Sequence, residues 1–259
     1  MKRTPVSRSP ELFPRELQPW LQNTLLFDSS CSQDARVWFL DRDTGFYLKT
    51  APAGSLLSEA RQAQYFHEKG LGPEVLAYLP QEQDWLLTAR VPGEDCTHRQ
   101  YLEDPQRLAV LLGELLRKLH DTPAPDCPLQ NHSRQYLDTV YKNYEAGLFD
   151  NSGKYHSSGS PEEAIAIIRE FAPHLRTDTL LHGDFCLPNI LLDNWLFSGF
   201  IDLGQGGIGD RHVDLYWGAW SLRFNLGTDA WCGSFLDAYG RDRIEPELLR
   251  AIGAFEVFG

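Results

Sequence analysis

The sequence of 259 residues predicts an α+β fold in which a small, strand-rich N-terminal lobe is followed by a larger, mainly helical C-terminal lobe. Two patterns lead to this prediction. Short strand-type segments, with one amphipathic helix among them, occupy residues 36–88. Leucines then recur at helical spacing from Leu108 to Leu119. The hydrophobic content of 42% is sufficient for a buried core in a chain of this length.

The strand-rich part begins with a hairpin, because turn-forming residues 41–45 separate two segments of strand composition. Ser55 is expected to cap a helix that continues to Phe66 and stops at Gly70. A second pair of strands follows this helix. The predicted strands are residues 36–40, 46–49, 74–79 and 85–88.

The pair Pro92 and Gly93 follows the last predicted strand and suits a hinge, so we place the lobe boundary there. The first lobe then comprises residues 1–92 and the second lobe residues 93–259. Within the second lobe, residues 150–160 are rich in glycine and serine, which predicts an exposed loop.

The charge and the N-terminal sequence argue against several classes of protein. A formal net charge of -12 disfavours a nucleic-acid binder, which normally carries a basic patch, and suits a cationic small-molecule partner better. No apolar run reaches the roughly eighteen residues that a membrane helix needs, and the basic N-terminus lacks the apolar stretch of a signal peptide. The five cysteines contain no C-x-x-C pair and indicate a reducing compartment. We therefore expect a cytoplasmic protein.

The most informative stretch runs from His182 to Gly204. Asp184 is followed five residues later by Asn189, and an apolar run then leads to Asp202. This is the spacing of a kinase catalytic loop and of the hairpin that delivers a second aspartate. Taken alone, each of the three residues would be interpreted as a turn, cap or strand-end residue. Together, between two apolar strand-like runs, they indicate phosphoryl transfer.

Phosphoryl transfer explains why these residue types are needed. The reaction requires an acceptor hydroxyl aimed at the γ-phosphorus and neutralisation of the charge on the phosphates. We expect Asp184 to orient the hydroxyl and accept its proton. We expect Asn189 and Asp202 to offer hard oxygen ligands to magnesium (Mg2+).

Two residues upstream fit the same pattern. Lys49 ends a predicted strand, where a kinase places the lysine that contacts the α- and β-phosphates, and Glu59 lies on the following helix, where its partner belongs. Alone, each would be read as a surface residue.

The segment Gly204–Gly209 matches the dinucleotide fingerprint G-x-G-x-x-G. The chain after it reads as helix without the further strand of a Rossmann unit, so we interpret it as the loop that follows Asp202.

On these motifs the sequence resembles the aminoglycoside 3'-phosphotransferase family. The resemblance implies a two-lobed, protein-kinase-like fold with nucleotide binding in residues 1–92 and with catalysis and substrate binding in residues 93–259. It also implies transfer of phosphate from ATP or GTP to the 3'-hydroxyl of drugs such as kanamycin and neomycin, and hence antibiotic resistance. The segments that carry it are SCSQDARVWFL (30–40), FYLKT (46–50), WLLTARVPG (85–93), LHDTPAPDCPL (119–129), GLFD (147–150), HGDFCLPNILLD (182–193) and GFIDLGQGGIGDRHVD (199–214).

The resemblance implies further contacts in the nucleotide-binding lobe. Ser32 is expected to contact phosphate and Tyr47 to stack on the base. The backbone of Arg90 and Val91 is expected to meet the edge of the base. Asp214 matches a family aspartate that braces the catalytic loop.

The acceptor side departs from the family pattern. Relatives bind polycationic sugars through clustered carboxylates, whereas this chain has a Ser-, Gly- and Asn-containing run at 151–157 and Phe224 with Asn225 at acidic positions of the family. The resemblance leaves Asp150, Glu256 and Phe258 as substrate residues, with Glu145 as a further candidate.

Two alternatives therefore stay open. The first is a kinase for another small-molecule hydroxyl, on a macrolide, choline or a sugar amine. The second is a pseudokinase that binds a nucleotide or a partner without catalysis. The pseudokinase is disfavoured, because the chain retains Lys49, Asp184, Asn189 and Asp202.

Overall fold

The structure, a computed structural model, describes residues 3–31, 35–150 and 160–259. Its strands are β1 (Thr4–Val6), β2 (Leu25–Asp28), β3 (Arg36–Asp41), β4 (Phe46–Pro52), β5 (Val75–Pro80), β6 (Gln83–Ala89), β7 (Glu94–Asp95), β8 (Thr179–Leu181), β9 (Ile190–Asp193), β10 (Leu196–Phe200) and β11 (Gly207–Gly209). Its α-helices are α1 (Gln18–Leu21), α2 (Leu57–Glu68), α3 (Arg99–Leu102), α4 (Pro105–His120), α5 (His132–Glu145), α6 (Pro161–Phe171), α7 (His212–Leu226), α8 (Cys232–Tyr239) and α9 (Pro246–Phe255).

The chain forms two compact units. The first consists of Met1–Asp95 together with Ile190–Gly204, and the second of Cys96–Asn189 together with Gln205–Gly259. The strands lie mainly in the first unit and the helices mainly in the second. The predicted division into a strand-rich part and a mainly helical part is therefore confirmed.

A six-stranded antiparallel sheet dominates the first unit, in the order β1-β2-β3-β4-β6-β5. Side chains alternate between its two faces along each strand. Trp38, Leu40 and Leu48 point into one apolar cluster together with Phe13 and Leu17 from the N-terminal segment. The opposite face carries the alternate residues of β3 and β4, and these include the candidate lysine of the sequence analysis.

The first predicted hairpin is confirmed as β3 and β4, and the second strand pair as β5 and β6. The predicted cap of the helix between them is wrong. Helix α2 begins at Leu57, and Leu56 precedes it without a side-chain cap. The amide of Leu56 instead donates to the carboxylate of Asp84, a fully buried residue of β6, at 2.9 Å. A distant carboxylate therefore takes the place of Ser55, because it satisfies an amide at the start of the helix.

The hairpin formed by β9 and β10 belongs to the first unit. Strand β9 also pairs with β7, where Glu94 lies opposite Leu192 and Asp95 opposite Leu191. The division proposed from the sequence, at residues 92 and 93, placed this hairpin in the second lobe. Short strands that pair across a long separation leave little signal in a sequence, and β7 has only two residues.

The second unit is built on long helices, with a small antiparallel sheet of β8 and β11. The predicted leucine-rich helix is confirmed as α4, and Asp104 caps it by accepting from the amide of Arg107 at 3.2 Å. Helices α5, α6, α7 and α9 share one apolar core, in which Ile168, Val213 and Ile252 are buried. Within the described ranges, no helix combines the length and apolar character needed to cross a bilayer.

Candidate active site

Three charged residues of the first unit meet at Lys49 on β4. Its Nζ lies 2.6 Å from Oε2 of Glu59 on α2 and 3.1 Å from Oδ1 of Asp202, which follows β10. The side chains of Lys49 and Glu59 are 21% and 15% exposed, and that of Asp202 is 54% exposed. The structure thus joins the predicted Lys–Glu pair and adds the aspartate that lies 153 residues further along the chain.

Electrostatics keep this lysine charged. Burial by itself would lower the pKa of Lys49, but the carboxylates of Glu59 and Asp202 outweigh it and raise the pKa above its ordinary value. The pKa of Glu59 is also raised, first by burial and then by the charge of Asp202, although Lys49 opposes the shift. The Lys49 ammonium group is therefore shared by two carboxylates. These contacts hold it in a fixed position, where a further anion such as a phosphate could bind it.

The loop after β10 aims Asp202 through an uncommon backbone conformation. Asp202 has a φ of +58°, in the left-handed region that residues other than glycine seldom adopt. The adjoining loop is tied to α2, because the Ser58 hydroxyl donates to the carbonyl of Gly204 at 3.0 Å. Strained positions of this kind cluster at functional sites, where the surrounding structure maintains them.

In the second unit, Asp184 and Asn189 are directly linked. The amide nitrogen Nδ2 of Asn189 donates to Oδ2 of Asp184 at 2.8 Å and to the Asp184 carbonyl at 3.0 Å. The loop between them is closed by the amide of Cys186, which donates to the same carbonyl at 2.7 Å. One carboxylate oxygen of Asp184 is thereby fixed by the side chain of Asn189.

A buried aspartate holds the backbone of this loop. Asp214 on α7 accepts from the amides of His182 and Gly183, each at 2.8 Å. Gly183 has a φ of +85°, and a Cβ there would lie 2.0 Å from the carbonyl oxygen of Gln205, so no other residue fits. The brace that the family resemblance implied for Asp214 is present in these hydrogen bonds.

Two further side chains, His120 and Tyr239, stand behind Asp214, and neither was assigned a role from the sequence. Nε2 of His120 lies 3.1 Å from Oδ2 of Asp214, and Nδ1 lies 2.8 Å from the hydroxyl of Tyr239. Burial lowers the pKa of His120, whereas for Asp214 the hydrogen bonds outweigh burial and lower its pKa. An ionised carboxylate only accepts, so His120 donates through Nε2 and Tyr239 donates to Nδ1.

A cavity of about 180 Å³ lies in the first unit beside the predicted base-binding residues. Tyr47, Arg90 and Val91 all line it, whereas Ser32 lies outside the described residues. The other residues around the cavity were not predicted to lie there, because most of them come from short strands and from the N-terminal segment. The full lining is Arg3, Tyr47, Arg90, Val91, Gly93, Glu94, Asp95 and Leu191.

The four residues predicted to bind the acceptor substrate have different environments. Glu145 is exposed and Asp150 is half-buried, with its amide donating to the carbonyl of Val257 at 2.8 Å. Phe258 is only 2% exposed and packs edge-on against Tyr144. Of these residues, therefore, only Glu145 and Asp150 present substantial surface to solvent; the environment of Glu256 is different again.

Glu256 is held inside the second unit. Its Oε1 accepts from the hydroxyl of Tyr136 at 2.5 Å, and the residue is 8% exposed. The pKa of Glu256 is raised to about 7, mainly by burial and also by the charge of Asp184, although hydrogen bonds from Tyr136 and Trp217 lower it in part. A carboxyl whose pKa is raised in this way keeps its proton more readily, which weakens it as a partner for an ammonium group.

The residues predicted to bind magnesium have suitable donor atoms. Both hydrogen bonds of the Asn189 side chain use its nitrogen, so its carbonyl oxygen is the atom that a cation would bind. Asp202 uses Oδ1 for Lys49 and exposes about half of its side chain. In the described part of the chain, no three His, Cys, Asp or Glu side chains form a group that could hold a metal.

Comparison with known proteins gives closely related matches. A model of the phosphotransferase enzyme family matches residues 27–252. A probable aminoglycoside 3'-phosphotransferase of Lactococcus lactis subsp. lactis (strain IL1403) is 47% identical over 254 residues, which cover 96% of each chain. The aminoglycoside 3'-phosphotransferase of Niallia circulans is 30% identical over 215 residues, which cover 81% of this chain and 82% of that protein.

A solved structure supports the fold. The crystal structure of an aminoglycoside-3'-phosphotransferase of type VIII resembles this chain with a TM-score of 0.74 at 25% identity, over 95% of this chain and 100% of the other. The predicted protein-kinase-like fold is therefore confirmed. Because the family model spans the lysine network, the catalytic loop and its brace alike, the chain belongs to the phosphotransferase enzyme family.

Proposed function

We propose that this chain is an aminoglycoside 3'-phosphotransferase, which transfers the γ-phosphoryl group of ATP or GTP to the 3'-hydroxyl of a cationic aminoglycoside. The observation that carries the proposal is the Asp184–Asn189 pair on its braced loop, in a chain 47% identical to a probable enzyme of that name. The pseudokinase alternative loses support, because the charged groups needed for transfer are present and oriented.

In the proposed reaction, Asp184 orients the acceptor hydroxyl and takes its proton as the oxygen attacks the γ-phosphorus. A new O–P bond forms, the bond to the β-phosphate oxygen breaks, and the nucleoside diphosphate leaves. Lys49 binds phosphate oxygens, and Glu59 keeps it in place. Magnesium, with Asn189 and Asp202 as ligands, would neutralise phosphate charge.

The nature of the acceptor is the less constrained part of the proposal. An aminoglycoside carries several ammonium groups, and Asp150 and Glu145 are suitable partners for them. Glu256 accepts a hydrogen bond from Tyr136, and Phe258 packs against Tyr144. We propose that both residues shape the region and that Glu256 contributes less charge than an exposed, ionised carboxylate would.

Because Glu256 and Phe258 are buried against other side chains, a kinase for a less highly charged acceptor is an alternative that should be tested. A kinase for another hydroxyl, on a macrolide, choline or a sugar amine, would need fewer carboxylates than a polycationic drug does. The relative from L. lactis weighs against this alternative, since its name specifies an aminoglycoside.

The test is phosphate transfer from ATP and GTP, with magnesium, to aminoglycosides that have or lack a 3'-hydroxyl. We expect product only with the 3'-hydroxyl compounds, and we expect Asp184→Ala to lower kcat by about 100-fold to 10,000-fold with unchanged nucleotide affinity. Phosphorylation of a macrolide, choline or sugar amine in place of aminoglycosides would establish the alternative. Full activity of Asp184→Ala would exclude Asp184 as the base.

We also propose a cytoplasmic location. None of the five cysteines, all within the described ranges, is in a disulfide, which suits a reducing compartment. Nucleoside triphosphates are available to the enzyme in such a compartment.

A further inference from the structure

Arg3, in the N-terminal segment, lies beside Tyr47, whose ring we expect to stack on the nucleotide base. Its Nη2 donates to the hydroxyl of Tyr47 at 3.0 Å. Its Cζ lies 3.6 Å from the centroid of the Phe39 ring, a distance at which cation and ring attract each other. The two rings are themselves in contact, with centroids 5.3 Å apart. The guanidinium group is therefore held by two independent contacts.

Strand pairing explains how a residue so near the N-terminus reaches this place. Strand β1 pairs antiparallel with β2, so that Thr4 lies opposite Asp28 and Val6 opposite Leu26. Arg3 directly precedes β1, so this pairing places its backbone at the edge of the sheet.

The sheet face that Arg3 covers is the one that carries the lysine. Trp38 and Leu48 point into the apolar cluster on one side of the sheet. Because successive side chains alternate, Phe39, Tyr47 and Lys49 lie on the other side. Arg3 thus adds a cation to the same face as Lys49.

Arg3 also lines the 180 Å³ cavity together with Tyr47, Arg90 and Val91, the three residues predicted to contact the base. A guanidinium group has five N–H donors and stacks on planar groups. Tyr47 takes one of these donors, and the remaining ones are available to the acceptor atoms of a base and ribose.

We propose that Arg3 is a nucleotide-binding residue, which closes the base pocket of the first unit and donates to the bound nucleotide. The proposal rests on the function proposed above, since it needs a nucleotide in this cavity. It adds a contact from outside the kinase motifs, made by a segment that those motifs do not include.

The test compares Arg3→Ala with Arg8→Ala. Arg8 is a matched control, because it has the same charge, lies in the same segment and sits 5.7 Å from the ring of Trp38, away from the cavity. The binding of ADP and GDP is measured by calorimetry without acceptor, on the full chain. We expect Arg3→Ala to weaken binding about tenfold and Arg8→Ala to leave it within twofold.

Steady-state kinetics separates a binding role from a structural one. We expect Arg3→Ala to raise the KM for the nucleotide by a similar factor, while kcat and the KM for the acceptor stay within about twofold. Tyr47→Phe removes the hydroxyl that holds Arg3 and keeps the ring. It should cause a smaller loss, and the two losses should not add in the double variant, because both variants remove the same contact.

Several results would overturn the proposal. Unchanged or tighter nucleotide binding by Arg3→Ala would show that Arg3 is dispensable or blocks the pocket. An equal loss in Arg8→Ala would assign the effect to general charge, and an equal rise in the acceptor KM would assign it to structure. If the wild-type protein bound no nucleotide, the proposed function itself would fail, and with it this inference. Binding by the wild type and by Arg3→Ala alike would refute the role of Arg3 alone.

Discussion

The network around Lys49 and the network around Asp214 contain similar charged groups but differ in their exposure to solvent. Lys49, Glu59 and Asp202 are partly exposed, and their contacts are ion pairs between side chains. Asp214 and His120 have fully buried side chains, and Asp214 also binds two backbone amides. The first network keeps charge accessible to a ligand, whereas the second fixes the backbone next to Asp184, the proposed base. We expect the first to determine activity and the second to determine stability.

The largest expected effect comes from breaking the buried network. Asp214→Ala leaves two backbone amides and His120 without their shared acceptor, and we expect it to lower the free energy of unfolding by about 3–5 kcal/mol. Urea denaturation measures this loss. Asp237→Ala, which removes an exposed partner of Arg241, should change stability by less than about 0.5 kcal/mol. A loss below about 1 kcal/mol in Asp214→Ala would show that the loop holds itself.

A change in the exposed network should have the opposite profile. We expect Lys49→Ala to lower kcat/KM by about 100-fold to 1,000-fold, because a positioned cation at the phosphates is lost. Its free energy of unfolding should fall by less than that of Asp214→Ala, because Asp202 is 54% exposed and solvent can screen the carboxylates that remain. Lys118→Ala, on the exposed side of α4, is the control for removing a lysine. Destabilisation as large as that of Asp214→Ala would remove the contrast between the two networks.

Glu256 sharpens the comparison through pH, because it is a buried acid whose hydrogen-bond partners, Tyr136 and Trp217, are both uncharged. Its folded pKa of about 7 lies above the ordinary 4.5. As pH rises from 4.5 to 7, the unfolded carboxyl ionises first, so the wild-type protein loses stability, by up to about 3 kcal/mol. Glu256→Gln cannot ionise. Its stability relative to the wild type should therefore rise over this range and level off above pH 7.

Denaturation at pH 4.5, 6 and 8 measures the effect of Glu256. Glu247→Gln is the control, because Glu247 lies on the same helix with its side chain 78% exposed. A difference between Glu256→Gln and the wild type that does not vary with pH would contradict the raised pKa.

The sequence was sufficient to predict the parts of the site that are close together along the chain. Asp184 and Asn189 are five residues apart, and Lys49 and Glu59 are ten apart. A short loop, or one strand followed by one helix, brings such residues together almost independently of the rest of the fold. The hydrogen bond and the ion pair found in the structure follow from that local geometry.

Contacts over long separations were not predictable in the same way. Tyr136 and Glu256 are 120 residues apart, and Arg3 meets Tyr47 only because a three-residue strand containing Pro5 pairs with β2. Neither pairing leaves a periodic pattern in the sequence. The motif residues could therefore be predicted from the sequence. The environment that sets the pKa of Glu256 could be identified only from the folded structure.

The division of the first unit into two stretches of chain has a consequence for the order of synthesis. All six strands of its large sheet lie before residue 95, so this sheet can form early as the chain leaves the ribosome. Asp202 emerges 153 residues after Lys49. A nascent chain that has reached residue 189 therefore has its lysine and the glutamate partner, but not the aspartate. The network around Lys49, to which we assign phosphate binding, becomes complete only when most of the protein has been made.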